Sequence, residues 1–110
     1  MPDCIFCKNL PKVLQNDLAY AVYDINPSSK GHMLFILKRH CPTIFEATDQ
    51  ERKAIFDLIF QARELLIKEH KPDGFNILAN CGAASGQVVM HAHVHLLPRY
   101  NGLRLDHSPV

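Results

Sequence analysis

No run of apolar residues in this chain is long enough to cross a membrane. The longest, such as 34–37 and 88–90, fall far short of the roughly 20 residues a span requires. Neither is there an excess of one charge. Twelve Lys and Arg face eleven Asp and Glu, a net charge of +1, so no basic field holds a nucleic-acid backbone and binding to DNA or RNA is not expected. The opening Met1-Pro2-Asp3-Cys4 has neither a basic start nor an apolar stretch. A secretory signal is therefore not expected, and the expected location is cytoplasmic. Repeats, low-complexity tracts and linker-like stretches are missing too, so residues 1–110 are read as one domain. With 47% hydrophobic and 21% charged residues, disorder is excluded as the main state.

What is present in quantity is histidine, with seven residues, and cysteine, with four. Two disulfides would need an oxidising compartment, which nothing here supports. Cys4-x-x-Cys7 therefore reads as a metal half-site or a redox pair. No βαβ context or helix start follows Cys7, which disfavours a thioredoxin-like pair.

The coarse pattern is α+β. Residues 19–24 and 32–37 are rich in strand formers, and Asn26-Pro27-Ser28-Ser29-Lys30-Gly31 between them is a cluster of turn residues, predicting an antiparallel hairpin. Thr48-Asp49-Gln50-Glu51 has the form of a capping box that opens a helix running to about His70, ahead of Pro72. Ile55, Leu58, Ile59, Ala62, Leu65 and Leu66 form its core-facing stripe, with Phe56, Phe60 and Ile67 expected to widen it toward the core or a partner subunit. Residues 75–80 predict a third strand. The small-residue loop 81–87 precedes a fourth, 88–97, ended by Pro98.

The sharpest feature is His91-Ala92-His93-Val94-His95-Leu96-Leu97. A period of two sends Ala92, Val94 and Leu96 to the core and lines three imidazoles on the opposite surface. One metal ion does not suit all three, since His91 and His95 stand roughly 13 Å apart along a strand. The middle imidazole is instead available for chemistry: neutral near pH 7, it is a competent nucleophile if its other nitrogen is held as a donor.

This array resembles the signature of the histidine triad (HIT) family. The similarity extends to Asp24-Ile25, Gly31-His32, Leu37-Lys38-Arg39-His40, Asn80, Gly86-Gln87 and Leu97-Pro98-Arg99. The resemblance implies an antiparallel sheet of about five strands with one long helix, extended by homodimerisation. It also implies a hydrolase or transferase cleaving at the α-phosphate of a purine nucleoside monophosphate derivative. By that likeness His93 forms a covalent nucleotidyl-histidine, with His95, His91 and His32 around it. Asp24, Ile25, Asn80, Gly86, Gln87, Val88, His93 and His95 would meet the nucleotide. No metal enters that chemistry. A structural zinc held by Cys4, Cys7, His40 and His91 is implied by the same likeness, the competing reading being an unmetallated pair of reduced thiols; Cys41, adjacent to His40, is an alternative ligand and Cys81 reads as a small buried residue. The sequence departs from the family at Val88, where many members carry a Ser or Thr hydroxyl near the leaving group. Valine relays no proton, which disfavours poor leaving groups such as amines. Two rival readings remain: a nucleotide-binding regulatory or interaction protein with little turnover, and a hydrolase that uses the triad histidines as metal ligands.

Overall fold

The helix follows from signals local to its ends. The Thr48 hydroxyl accepts from the Glu51 N–H, and the Glu51 carboxylate accepts from the Thr48 N–H at 2.8 Å. The predicted capping box is formed, and α1 runs Asp49–His70. Lys71 closes it in the left-handed region at φ 50, its N–H on the Ile67 carbonyl. Glu51 also accepts from Arg39 Nε and Nη2 at 3.0 and 2.9 Å. Those bonds, with the Thr48 cap, hold its carboxyl down at about 2. They tie the start of α1 to the segment that carries His40.

The computed structural model describes residues 4–110; the Met1-Pro2-Asp3 start, read above for a signal, lies outside the described residues. Five strands, β1 Leu14–Gln15, β2 Ala19–Tyr23, β3 Met33–Leu37, β4 Gly74–Leu78 and β5 His93–Arg99, form one sheet. Its order is β1-β2-β3-β5-β4, with antiparallel neighbours throughout. The architecture is therefore α+β, with five antiparallel strands and one long helix. The predicted hairpin is β2–β3, with Ala19 opposite Leu37 and Tyr23 opposite Met33. Its turn needs glycine at position 31. There φ is 87, and an added Cβ would sit 2.9 Å from the His70 ring and 3.1 Å from Leu66.

Strand alternation sorts the sheet into two faces. Ala19, Ala21, Met33, Phe35, Val94 and Leu96 pack with Ala92 against Ile55, Leu58, Ile59, Ala62 and Leu66 of α1. On the other face Tyr20, Val22, Leu34 and Ile36 gather with Phe6 into a second, smaller cluster. His93 lies opposite Ile36 and His95 opposite Leu34, so both imidazoles share that second face. It is no open surface, because the segment around Phe6 covers it and all three triad histidines are buried.

Three expectations need correcting. The last strand spans His93–Arg99, not 88–97. Residues 87–92 are held by loop bonds instead: the Ala92 N–H reaches the Cys41 carbonyl and the Gln87 amide reaches Pro42 and Val89. Pro98 does not end the strand; it pairs with Phe75 inside it. The register of β3 on β5 stops at Leu96, so Pro98 lies where β5 has a neighbour on one side only and a missing N–H is tolerated. Finally, Phe56 and Phe60 do not widen the stripe toward the core, being 45% and 65% exposed, so of the two readings only the partner-facing one is kept for them. Each stands about 100° around the helix from Ile55 and Ile59, off the buried stripe. Among the described residues no helix is long and apolar enough to cross a membrane.

Candidate active site

The three triad imidazoles address three different partners. The His91 Nε2–H donates to the Leu37 carbonyl at 2.6 Å, which leaves Nδ1 bare. His93 Nδ1 lies 2.7 Å from the His91 carbonyl; since a carbonyl only accepts, Nδ1 carries the proton and a neutral ring presents an unprotonated Nε2. That nitrogen faces a cavity, with the Val110 oxygen 3.2 Å away. Both oxygens only accept and a neutral ring has one N–H, which the shorter contact to His91 takes, so Nε2 meets the Val110 oxygen lone pair to lone pair. His95 turns instead to His32: His32 Nε2 and His95 Nδ1 are 2.9 Å apart.

Proton positions in that pair follow from one backbone amide. The Ser28 N–H donates to His32 Nδ1 at 3.0 Å, so the neutral His32 ring carries its proton on Nε2 and donates to His95 Nδ1. His95 then holds its own proton on Nε2, a buried nitrogen that makes no well-formed hydrogen bond, with the Val110 carbonyl nearby. The arrangement delivers one N–H donor beside one bare imidazole nitrogen, with ring centroids of His95 and His93 5.1 Å apart. The same tautomers argue against a metal at Asp24, His32 and His95, although their donor atoms converge: His32 Nε2 has no free lone pair. Burial lowers His32, and burial with the neighbouring His93 and His32 pushes His95 down to about 3. Both rings are neutral at neutral pH.

A stability prediction follows. A histidine held neutral in the fold contributes fully above its ordinary value of 6.5 and loses that contribution as pH falls toward 3. Urea unfolding midpoints should therefore drop between pH 7.5 and 5, and the drop should be smaller in His95→Gln. Equal pH dependence in the two proteins would contradict this account.

The Nδ1 that His91 leaves bare points into a second cluster. Cys4 Sγ is 3.2 Å from it, Cys7 Sγ 3.5 Å and His40 Nδ1 3.2 Å, while Cys7 Sγ and His40 Nδ1 are 3.2 Å apart. Tetrahedral zinc with bonds of 2.0–2.3 Å has ligand–ligand edges of about 3.3–3.8 Å. The four expected residues therefore meet at the spacing of one ion's coordination shell, with the His91 tautomer fixed for ligation by Leu37. Cys41 stands apart, its sulfur on the Thr43 carbonyl at 3.6 Å.

The cavity measures about 390 Å³, and His93 and His95 line it with Asp24 and Ile25. Asp24 divides its carboxylate: Oδ1 accepts from the Asn26 N–H at 2.9 Å, and Oδ2 faces His32 Nε2 at 3.6 Å. Its turn-forming use and its place in the cavity coexist. Ile25 is fully exposed at the rim. The walls include Phe6, Leu10, Val22, Leu34 and Val89, none singled out from the sequence. The alternation of β2 and β3 away from the helix was the available signal for Val22 and Leu34; Phe6, between two cysteines, carried none.

The small-residue loop lies outside that lining. Gln87 makes no donation to a ligand here, because its amide is used up. The oxygen accepts from the Gly82 N–H at 2.7 Å and the nitrogen donates to Pro42 and Val89. The N–H groups of Ser85, Gly86 and Gln87 close the loop on Ala83 and Gly82. Gly86, at φ 103, stands beside Asn80, whose amide donates to the Pro109 carbonyl at 2.9 Å. Val88 is 67% exposed on the loop.

The HIT domain family model matches residues 9–102. A curated relative from Arabidopsis thaliana, adenylylsulfatase HINT3, is 37% identical over 103 residues, 88% of this chain; the chain spans about half (52%) of its length. Adenosine 5′-monophosphoramidase hnt1 of Schizosaccharomyces pombe is 36% identical over 104 residues, 89% of this chain and 75% of that protein. The crystal structure of a HIT family protein from Bacillus anthracis superposes with a TM-score of 0.84 at 37% identity, covering 91% of this chain and 75% of that one. With the family model matched over most of its length and the same fold in a HIT family structure, the chain belongs to the HIT family.

Proposed function

We propose that the chain is a nucleotide hydrolase or transferase acting at the α-phosphate of a purine nucleoside monophosphate derivative, either a dinucleoside polyphosphate or a nucleoside phosphoramidate. The observation that carries this reading is the His93 Nδ1 bond to the His91 carbonyl, which leaves Nε2 bare at the cavity. Nε2 attacks phosphorus, the bond to the leaving group breaks, and a nucleotidyl-His93 forms with Nδ1–H still on the carbonyl. Water then releases the nucleoside monophosphate and restores His93. The His95 Nε2–H is free to stabilise the phosphoryl oxygens; His32 sets its tautomer. The Asp24 carboxylate accepts from ribose hydroxyls and Ile25 and Phe6 flank the base; Asn80, Gly86 and Val88, outside the cavity lining, are assigned to the leaving-group side by the family resemblance alone. Gln87 braces the loop. The names of the Arabidopsis and fission-yeast relatives support adenosine nucleotide chemistry.

A structural zinc at Cys4, Cys7, His40 and His91 belongs to the same reading. It supplies cross-linking, not chemistry, because a Cys₂His₂ set leaves no open position. Reduced thiolate ligands suit the cytoplasm. Homodimerisation is supported by β4, an edge strand with Ile77 48% exposed, and by Phe56 and Phe60 one helical turn apart on α1.

The test is a substrate panel read by AMP release. A diadenosine polyphosphate should be cleaved faster than an adenosine phosphoramidate, whose amine must be protonated to leave. Val88→Ser should raise phosphoramidate cleavage about tenfold and change polyphosphate cleavage little. No AMP from any substrate would instead establish the second reading, a nucleotide binder with little turnover, which the hydroxyl-free Val88 favours.

A further inference from the structure

The segment that closes the cavity is the segment that bears the two thiols. Cys4 and Cys7 bracket Ile5 and Phe6 in one turn of 3-10 helix. The sulfurs go to His40 and His91, while the Phe6 ring between them stands edge-on to His93 at 5.0 Å and to His91 at 5.9 Å. Phe6 is only 6% exposed, and with Ile5 it walls the cavity beside His93. Apart from the apolar packing of Phe6 on Tyr20, Val22, Leu34 and Ile36, little else fixes this wall. The backbone hydrogen bonds of residues 4–10 stay within the segment among the described residues. One side-chain tie, from the Tyr20 hydroxyl to the Phe6 carbonyl, reaches it from the sheet. His91 completes the connection from below: its ring enters the thiol cluster and its carbonyl orients the His93 ring.

We infer that the Cys4–Cys7 segment couples metal binding to nucleotide binding, with Phe6 as the positioning residue that transmits it. An ion shared by the four ligands fixes both ends of the four-residue segment Cys4–Cys7 and so holds Phe6 over His93. Without it, the Tyr20 bond and the apolar packing of Phe6 alone retain the wall, which pays more ordering entropy when a nucleotide enters. Linkage makes the coupling reciprocal: nucleotide in the cavity must tighten the metal by the same factor that the metal tightens the nucleotide. The inference rests on the zinc and nucleotide-pocket assignments made above.

The experiment uses full-length protein loaded with Zn²⁺ and AMP as the probe. Calorimetry gives AMP affinity with and without zinc, and competition with a chromophoric chelator gives zinc affinity with and without AMP. Stripping zinc should weaken AMP binding about tenfold, and saturating AMP should tighten zinc by a similar factor. Zinc-loaded Phe6→Ala, which keeps all four ligands, should bind AMP like stripped wild type and show no effect of AMP on zinc. The coupling is overturned if zinc-loaded Phe6→Ala binds AMP as wild type does, or if AMP leaves wild-type zinc affinity unchanged. Loaded wild type that binds no AMP overturns the pocket assignment as well, a result distinct from AMP binding indifferent to zinc.

Discussion

Alanine at position 93 is expected to cut AMP release by at least about 10⁴-fold while AMP binding changes by less than about threefold. Loss of a covalent nucleophile leaves only the stabilising donors and positioning of the pocket, which sustain little turnover by themselves. Binding should persist because the walls are supplied elsewhere, by Phe6, Val22, Leu34 and Val89, with the Asp24 carboxylate also on the lining and proposed for the ribose. His95→Ala provides the contrast. It removes the free Nε2–H but not the bare nitrogen of His93, so its loss should be that of one oxyanion donor, about 10²–10³-fold. Equal losses at 93 and 95 would mean that the rings act in some other division of labour. Undiminished turnover in His93→Ala would end the assignment of the nucleophile.

Removing the metal is expected to produce the largest change in stability. Native protein should carry one zinc per chain, and Cys4→Ser/Cys7→Ser should carry none. The melting temperature of the double variant should fall by more than about 10 °C, since 2–3 kcal/mol has that effect on a domain of this size. Complete unfolding is not expected, because the larger apolar cluster between the sheet and α1 contains none of the four ligands. Cys41→Ser is the control: its sulfur faces Thr43, outside the cluster, and zinc content should be retained. Elemental analysis and calorimetry of the three proteins decide the matter. A metal-free native protein that melts with the double variant would show that the converging sulfurs and imidazoles are merely reduced side chains in contact.

These effects could be anticipated from the sequence only to the extent that the interactions are local. The helix was legible to the residue because Thr48 and Glu51 cap each other across three positions and Pro72 follows its end. The alternation of 91–97 was legible because the strand period is two, and it correctly separated Ala92, Val94 and Leu96 from the histidines. What alternation does not encode is where each ring then turns. His91 is drawn to Cys4, Cys7 and His40, 51 or more positions away, and His95 to His32, 63 positions away. The start of β5 at His93 depends likewise on bonds from Gln87 to Pro42 and from Ala92 to Cys41. Gln87 illustrates the limit well: its amide suits phosphate chemistrywise, but three backbone groups from the surrounding loops consume it. Phe56 and Phe60 were left open for a simpler reason, since a widened apolar stripe has the same sequence signature whether its flank meets the core or a partner subunit.

The nucleophile can be observed directly. Zinc-loaded protein mixed with a diadenosine polyphosphate and quenched at neutral or alkaline pH within the first turnover should carry one adenylyl group. Peptide mass spectrometry should place that group on the imidazole of His93, and the adduct should decay as AMP appears. An adduct on a different side chain, or steady AMP release with no adduct formed faster than it decays, would contradict the claim that the bare Nε2 of His93 attacks phosphorus.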